Sequence, residues 1–215
     1  MSRYLKYSEA DNLCEPELNI TTRTLTRIAI LGALVVIFDY TLKFSGWKIP
    51  FPWMPVLKFD FTGIPIVLSL LLLGLKPGGV TSVVAFLAIL ARSGDMVGPA
   101  MKALAEFSTI LGMSLGLLSL KRGRRLTKPV SFVLGSVVRV LVMALANLLV
   151  FTLYYAQPLV VAVAMAPYVA IFNLVQGFVS MFGGYLLYEA IMHRVPFLAS
   201  EPKADQNREI AQPRT

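Results

Sequence analysis

Apolar runs dominate this chain, broken at short intervals by small clusters of charge and proline. Six can be drawn: residues 25–42, 63–75, 80–91, 100–120 and 130–155, and a last run that starts at Val160 or Pro167 and ends near residue 192. A bilayer core about 30 Å thick takes about 20 apolar helical residues to cross. Backbone groups find no water there, so a spanning segment must satisfy its hydrogen bonds internally. The expected fold class is therefore all-α, an integral membrane six-helix bundle. A long outer loop with Trp47, Pro50, Pro52, Trp53 and Pro55 should join the first and second helices. The second and third runs, at about a dozen residues, cover only about 20 Å. They must extend into their flanks or be shielded by protein. "KPGG" at residues 76–79 reads as a tight turn between them. Three regions follow: a polar N-terminal tail at 1–23, a transmembrane domain at 24–193 and a polar C-terminal tail at 194–215.

Charge sets the orientation. Only 15% of the 215 residues are charged, against about one quarter in soluble domains. With both termini inside, 14 lysines and arginines fall on the inner side and 5 on the outer. That asymmetry satisfies the positive-inside rule. It accounts for the basic loop "KRGRRLTK" and for the net charge of +8, and no aromatic interleaving marks a nucleic-acid groove. The N-terminus has no apolar core with a cleavage site. A single cysteine, Cys14, and a single histidine, His193, offer no disulfide framework and no metal cluster. No P-loop, HExxH or GxSxG is present, so ATP hydrolysis and enzyme chemistry are not expected of this chain. No internal repeat is visible.

Asp39, Lys58, Asp60, Arg92, Asp95 and Glu106 all fall toward the outer side, with Tyr40, Trp47, Trp53, Tyr154, Tyr155 and Tyr168. An interfacial aromatic belt with solvated charges would explain them. A cavity open to the outside would explain them too, because Glu106 and Arg139 lie inside apolar runs, where ionisable groups are functional candidates. Asn147, Asn173 and Gln176 are amides on membrane helices, and the last two share a helix face. A carboxamide both donates and accepts, which suits a heterocycle edge; interhelical hydrogen bonding is the competing role. Ala29 and Ala33 make a small-residue face on the first helix, fit for close helix approach within the bundle or to a partner.

Several stretches then align with one family. "VLKFDFTGIPIVLSLLLLGLKPGG" resembles the "LKLDFSDIP…L…GP.AG" stretch of the substrate-binding S-components of energy-coupling-factor (ECF) vitamin transporters. Ala29-x-x-x-Ala33 is similar to the family's AxxxA contact. "ALAEFSTILG" resembles "ELANFLAG", "VVRVLVMALANLLVF" resembles "R…MTLLNYFV", and "APYVAIFNLVQGFVSMFGGYLLYEAI" resembles "IPFNLIKGIIVS…LLY". The matches run in order from about residue 25 to 190, and the riboflavin-specific S-components are most similar.

The resemblance implies a multi-pass protein in the plasma membrane of a prokaryote, with both termini cytoplasmic. It implies that riboflavin is bound as transported ligand rather than cofactor, and delivered with a coupling transmembrane subunit and two ABC-type ATPases. Under it, Lys58, Asp60, Phe61, Glu106, Asn147, Asn173 and Gln176 would form the substrate site. Phe59, Phe61 or Phe107 would cover the ring, and Ala29 and Ala33 would contact the coupling subunit. Three positions depart from the pattern: Gly63 for Asp, Glu106 for Asn and Gln176 for Lys. They bear on which vitamin or heterocyclic precursor is bound. A membrane scaffold or sensor without ligand is the alternative from another class.

Overall fold

The computed structural model describes residues 22–46, 48–119 and 126–194. Nearly all of both polar tails (residues 1–21 and 195–215), with Cys14, Trp47 and most of the basic loop, lie outside the described residues. The helices are α1 (Thr22–Phe44), α2 (Gly63–Leu73), α3 (Leu75–Ser93), α4 (Val97–Ser119), α5 (Thr127–Leu149) and α6 (Leu159–Arg194). All but α2 are long and apolar enough to cross a membrane.

The shortness of α2 has a packing explanation. Residues Pro65 to Leu70 are all buried, because α2 is wrapped by α1, α3, α4 and α6. Its Ile66, Val67 and Leu70 make the core with Val35, Ala85, Ile110, Met113 and Met181. The third run lengthens to the 19 residues of α3 because the turn is not where the sequence places it. The chain reverses at Gly74, whose φ of 99° is left-handed territory that glycine adopts without strain. "KPGG" instead forms the first turn of α3. Pro77 is tolerated there because an amide in that turn has no intrahelical partner to lose. A Cβ on Gly78 would press on Ile110 Cδ1 at 3.1 Å; Thr81 Oγ1 donates to the Pro77 carbonyl at 2.9 Å and shares a 3.0 Å hydrogen bond with Ser69 Oγ.

Two further boundaries shift. α4 begins at Val97 because Asp95 caps it, accepting from the Val97 and Gly98 amides at 3.2 and 3.1 Å. α6 starts at Leu159 and runs 36 residues straight through Pro167. Between α5 and α6 the helix widens into a single π-type turn, Val150–Tyr154, a local irregularity that recurs at functional sites.

The all-α expectation needs one correction. The connection from α1 to α2 carries a small antiparallel hairpin, β1 (Pro50–Phe51) and β2 (Met54–Lys58). Aromatic contacts hold it on α6: the Phe172 ring meets Phe59 at 4.9 Å and Phe51 at 5.6 Å between centroids, and Trp53 approaches Tyr168. α4 and α5 pack closely through glycine, since a Cβ on Gly112 would sit 2.5 Å from the Leu134 carbonyl oxygen. The outer face of α5 presents Val133, Val137, Leu141, Leu145 and Leu149 at four-residue spacing, continued by Leu153 in the π-type turn, the stripe a lipid-facing helix shows. Ala29 and Ala33 are exposed on α1; they do not pack inside this chain's own bundle.

Candidate functional site

A cavity of about 810 Å³ opens at the end of the bundle where α1, α3 and α5 finish and α4 and α6 begin. That volume suits one small organic ligand. The hairpin connection roofs it with Met54, Leu57, Lys58 and Asp60. Its polar groups form two tiers.

At the mouth, the Asp39 carboxylate is fully buried and holds three cations. Lys48 Nζ and Arg92 Nε each approach it at 2.7 Å and Lys102 Nζ at 3.3 Å. Lys102 also bonds Asp60, so one ammonium ties α4 to both α1 and the roof. Asp60 Oδ1 in turn accepts from the Thr62 amide and hydroxyl at 3.2 and 2.7 Å, which fixes the entry into α2. Burial alone would raise the Asp60 carboxyl; the Lys102 charge and the hydrogen bonds from Lys102 and Thr62 outweigh it and hold the group below the usual carboxylate range. Burial lowers Lys48, and the like charge of Lys102 lowers it further, against the pull of Asp39.

On the floor, Arg139 Nη1 donates to Glu106 Oε1 at 3.0 Å and to Thr109 Oγ1 at 2.8 Å. Both partners of the pair are only 2% exposed. Two glycines make room for it. A Cβ on Gly63 would lie 2.2 Å from Glu106 Oε2, and one on Gly177 would lie 2.8 Å from Arg139 Cδ. The departures at 63 and 106 are therefore one structural event: the Glu106 carboxylate occupies space that a side chain at 63 would fill. Glu106 Oε2 and Arg139 Nε have no hydrogen-bond partner among the described residues.

The three amides divide by role. Asn147 Nδ2 donates to the Met143 carbonyl at 2.7 Å and Asn173 Nδ2 to the Val169 carbonyl at 2.9 Å. A carbonyl can only accept, so these contacts fix which way each amide points and leave each Oδ1 for a further donor. Gln176 is spent on the roof: its Nε2 donates to the Asp60 carbonyl at 2.8 Å and its Oε1 accepts from the Asp60 amide at 3.4 Å. It borders the cavity, but its amide works as a clamp between α6 and the connection.

Of the residues singled out from sequence, Lys58, Asp60, Glu106, Asn147, Asn173 and Gln176 come together around this cavity. Phe61 does not; it is 42% exposed, because the turn that buries Asp60 faces its neighbour outward. Phe107 is likewise directed away, and lies beside Gly79 of α3. Phe59 stands behind Phe172. The apolar walls come instead from Phe172, Phe151 and Tyr155, with Met54, Met101, Met143 and Met165. Methionine is flexible and polarizable and moulds to flat rings. Asp39, Lys48, Arg92, Lys102 and Arg139 complete the site. The signal for Arg139, Asp39 and Lys102 was in the sequence, a charge within an apolar run; that for Lys48 was not, since loop lysines are ordinarily solvated.

The family model for the ECF transporter substrate-specific component matches residues 23–193. A solved structure described as "Structure and mechanism of the S component of a bacterial ECF transporter" superposes with a TM-score of 0.68 at 23% identity, over 81% of this chain and 98% of that one. At that identity the likeness shows the fold. No curated protein matches.

The floor pair yields one prediction. Arg139→Met alone leaves a buried unpaired carboxylate and should cost about 3–5 kcal/mol, while adding Glu106→Leu should recover most of it. Thermal unfolding in detergent measures both; a well-tolerated single variant would contradict the pair's structural role. Asp60 yields a second. Its carboxyl is held below the unfolded value of about 3.9, so its stabilisation is complete above that value and is lost as pH falls through the lower folded one. Unfolding temperature followed from pH 7 to pH 3 should show an acid limb that shrinks in Asp60→Asn; an unchanged limb would assign it to other groups.

Proposed function

Because the chain belongs to the family of ECF transporter substrate-specific components, we propose that it binds a vitamin for uptake, with riboflavin or a flavin-like heterocycle as the ligand. The observation that carries this reading is the roofed cavity with aromatic and methionine walls and the Asn147 and Asn173 amides in its lining, each with an oxygen left to accept. Asn147 and Asn173 offer an acceptor each and one remaining N–H each, which match the dione edge of a flavin ring. Phe172 and Phe151 supply faces for stacking. Gln176 and Asp60 hold the roof in place over the ligand.

In this reading the chain crosses the membrane six times, with α2 as the short, protein-shielded crossing. Both termini are cytoplasmic in a prokaryotic plasma membrane and the cavity opens outward, as the distribution of lysine and arginine favours. The chain is a binding subunit; a coupling membrane subunit and two ABC-type ATPases supply the energy. The exposed Ala29–Ala33 face of α1 fits the coupling subunit, because small residues allow two helix backbones to approach closely.

The deciding experiment is a riboflavin titration of the detergent-purified protein, followed by quenching of flavin fluorescence. Saturable quenching is expected, and Asn173→Ala should weaken it by about 1–3 kcal/mol, the cost of an unpaired buried group. No quenching would remove riboflavin and leave another heterocycle. Ala33→Trp should abolish uptake in cells carrying the whole transporter while ligand binding by the purified subunit persists. Uptake that persists in Ala33→Trp would remove that face as the contact with the coupling subunit.

A further inference from the structure

We infer that the ligand carries an anionic group, a carboxylate or a phosphate, received at the cavity mouth by Lys48, Lys58 and Lys102. The inference rests on reading this cavity as the substrate site.

Charge balance is the argument. In the mouth cluster three cations, Lys48, Arg92 and Lys102, share two carboxylates, Asp39 and Asp60. At the rim, Lys58 is exposed, lines the cavity and has no carboxylate partner among the described residues. Asp95 adds a third carboxylate to the lining and Lys43 a fifth cation, so five cations face three carboxylates at the mouth. The floor pair is neutral by itself. The mouth therefore keeps a positive excess that no other charged group lining the cavity among the described residues cancels.

A cleft with low-dielectric walls focuses such a field. A neutral ligand filling the mouth would strip water from these cations and return no compensating bond, which is a net cost. An anionic substituent restores the balance and gains charge-assisted hydrogen bonds, which are the short, strong ones. Carboxylate and phosphate share this recognition. On a flavin, the phosphate at the ribityl end would lie at the mouth while the ring reached Asn147 and Asn173.

The test uses matched neutral and anionic probes on the full chain in detergent: riboflavin and riboflavin 5′-phosphate, nicotinamide and nicotinate, pantothenol and pantothenate. Binding is read by the shift in unfolding temperature across a titration. Within the pair that binds, the anionic member should bind about tenfold tighter or more, as expected for a charged hydrogen bond. The responding pair tells phosphate from carboxylate. Lys58→Gln should reduce that preference and Lys58→Arg should keep it; this position is exposed, so both variants are expected to fold even if Lys102→Gln does not. Equal or tighter binding of the neutral member overturns the inference, as does a protein that responds to no anionic probe. A response to phosphatidylglycerol vesicles alone also overturns it and marks the cluster as a lipid-headgroup site. Failure of the flavin reading looks different: both flavins are silent while another pair responds.

Discussion

Two opposite charges with almost no exposure sit where four helices meet, and much of the bundle is arranged around them. Isolating a carboxylate or a guanidinium from water costs several kcal/mol even after relaxation. Arg139 and Glu106 offset that cost only because they reach each other across α5 and α4. Thr109 and Ser180 add hydrogen bonds from α4 and α6. Gly63 on α2 and Gly177 on α6 withhold the side chains that would collide with the pair. Removing either partner would leave a buried charge unpaired, and a side chain at position 63 or 177 would take the pair's space. The pair thereby fixes the distance between α4, α5 and α6, and with it the floor of the cavity.

The mouth is built on a different principle. Its cations are partly hydrated and converge on a single buried carboxylate, Asp39, from the connection, α3 and α4. Lys102 extends this to Asp60, and Gln176 clamps the Asp60 backbone to α6. The roof is thus tied to the bundle by polar bonds at one edge and by the aromatic cluster around Phe172 at the other. A roof held at two edges can stay closed over a ligand without being buried. It explains why Lys58 and Asp60, adjacent to a membrane helix, part ways. Asp60 turns inward to serve the network, and Lys58 stays at the rim.

How legible was this beforehand? The long apolar runs marked the helices well, because the demand for internally satisfied backbone leaves few alternatives. Boundaries were less visible. "KPGG" carries strong turn chemistry, yet the turn is at Gly74, since proline and glycine are also compatible with a first helical turn packed closely on a neighbour. The hairpin was hidden because two short strands in a proline-rich connection leave no periodic pattern. Among site residues, the in-run polar groups Glu106, Asn147, Asn173 and Gln176 stood out by their cost in a membrane. Phe61 was misplaced and Phe172 overlooked, because an aromatic ring costs nothing in either setting and so announces nothing.

The sequence by itself determined that this chain crosses a membrane with helices and that polar groups converge near one end of them. Hydropathy and the price of buried charge decide both, and each is local. Only the tertiary structure decided who pairs with whom. Gln176 proved to be a clamp, Asp39 a hub for three cations, and Gly63 and Glu106 two halves of one arrangement. Those assignments depend on distances between residues far apart in the chain, which local patterns of hydrophobicity do not encode.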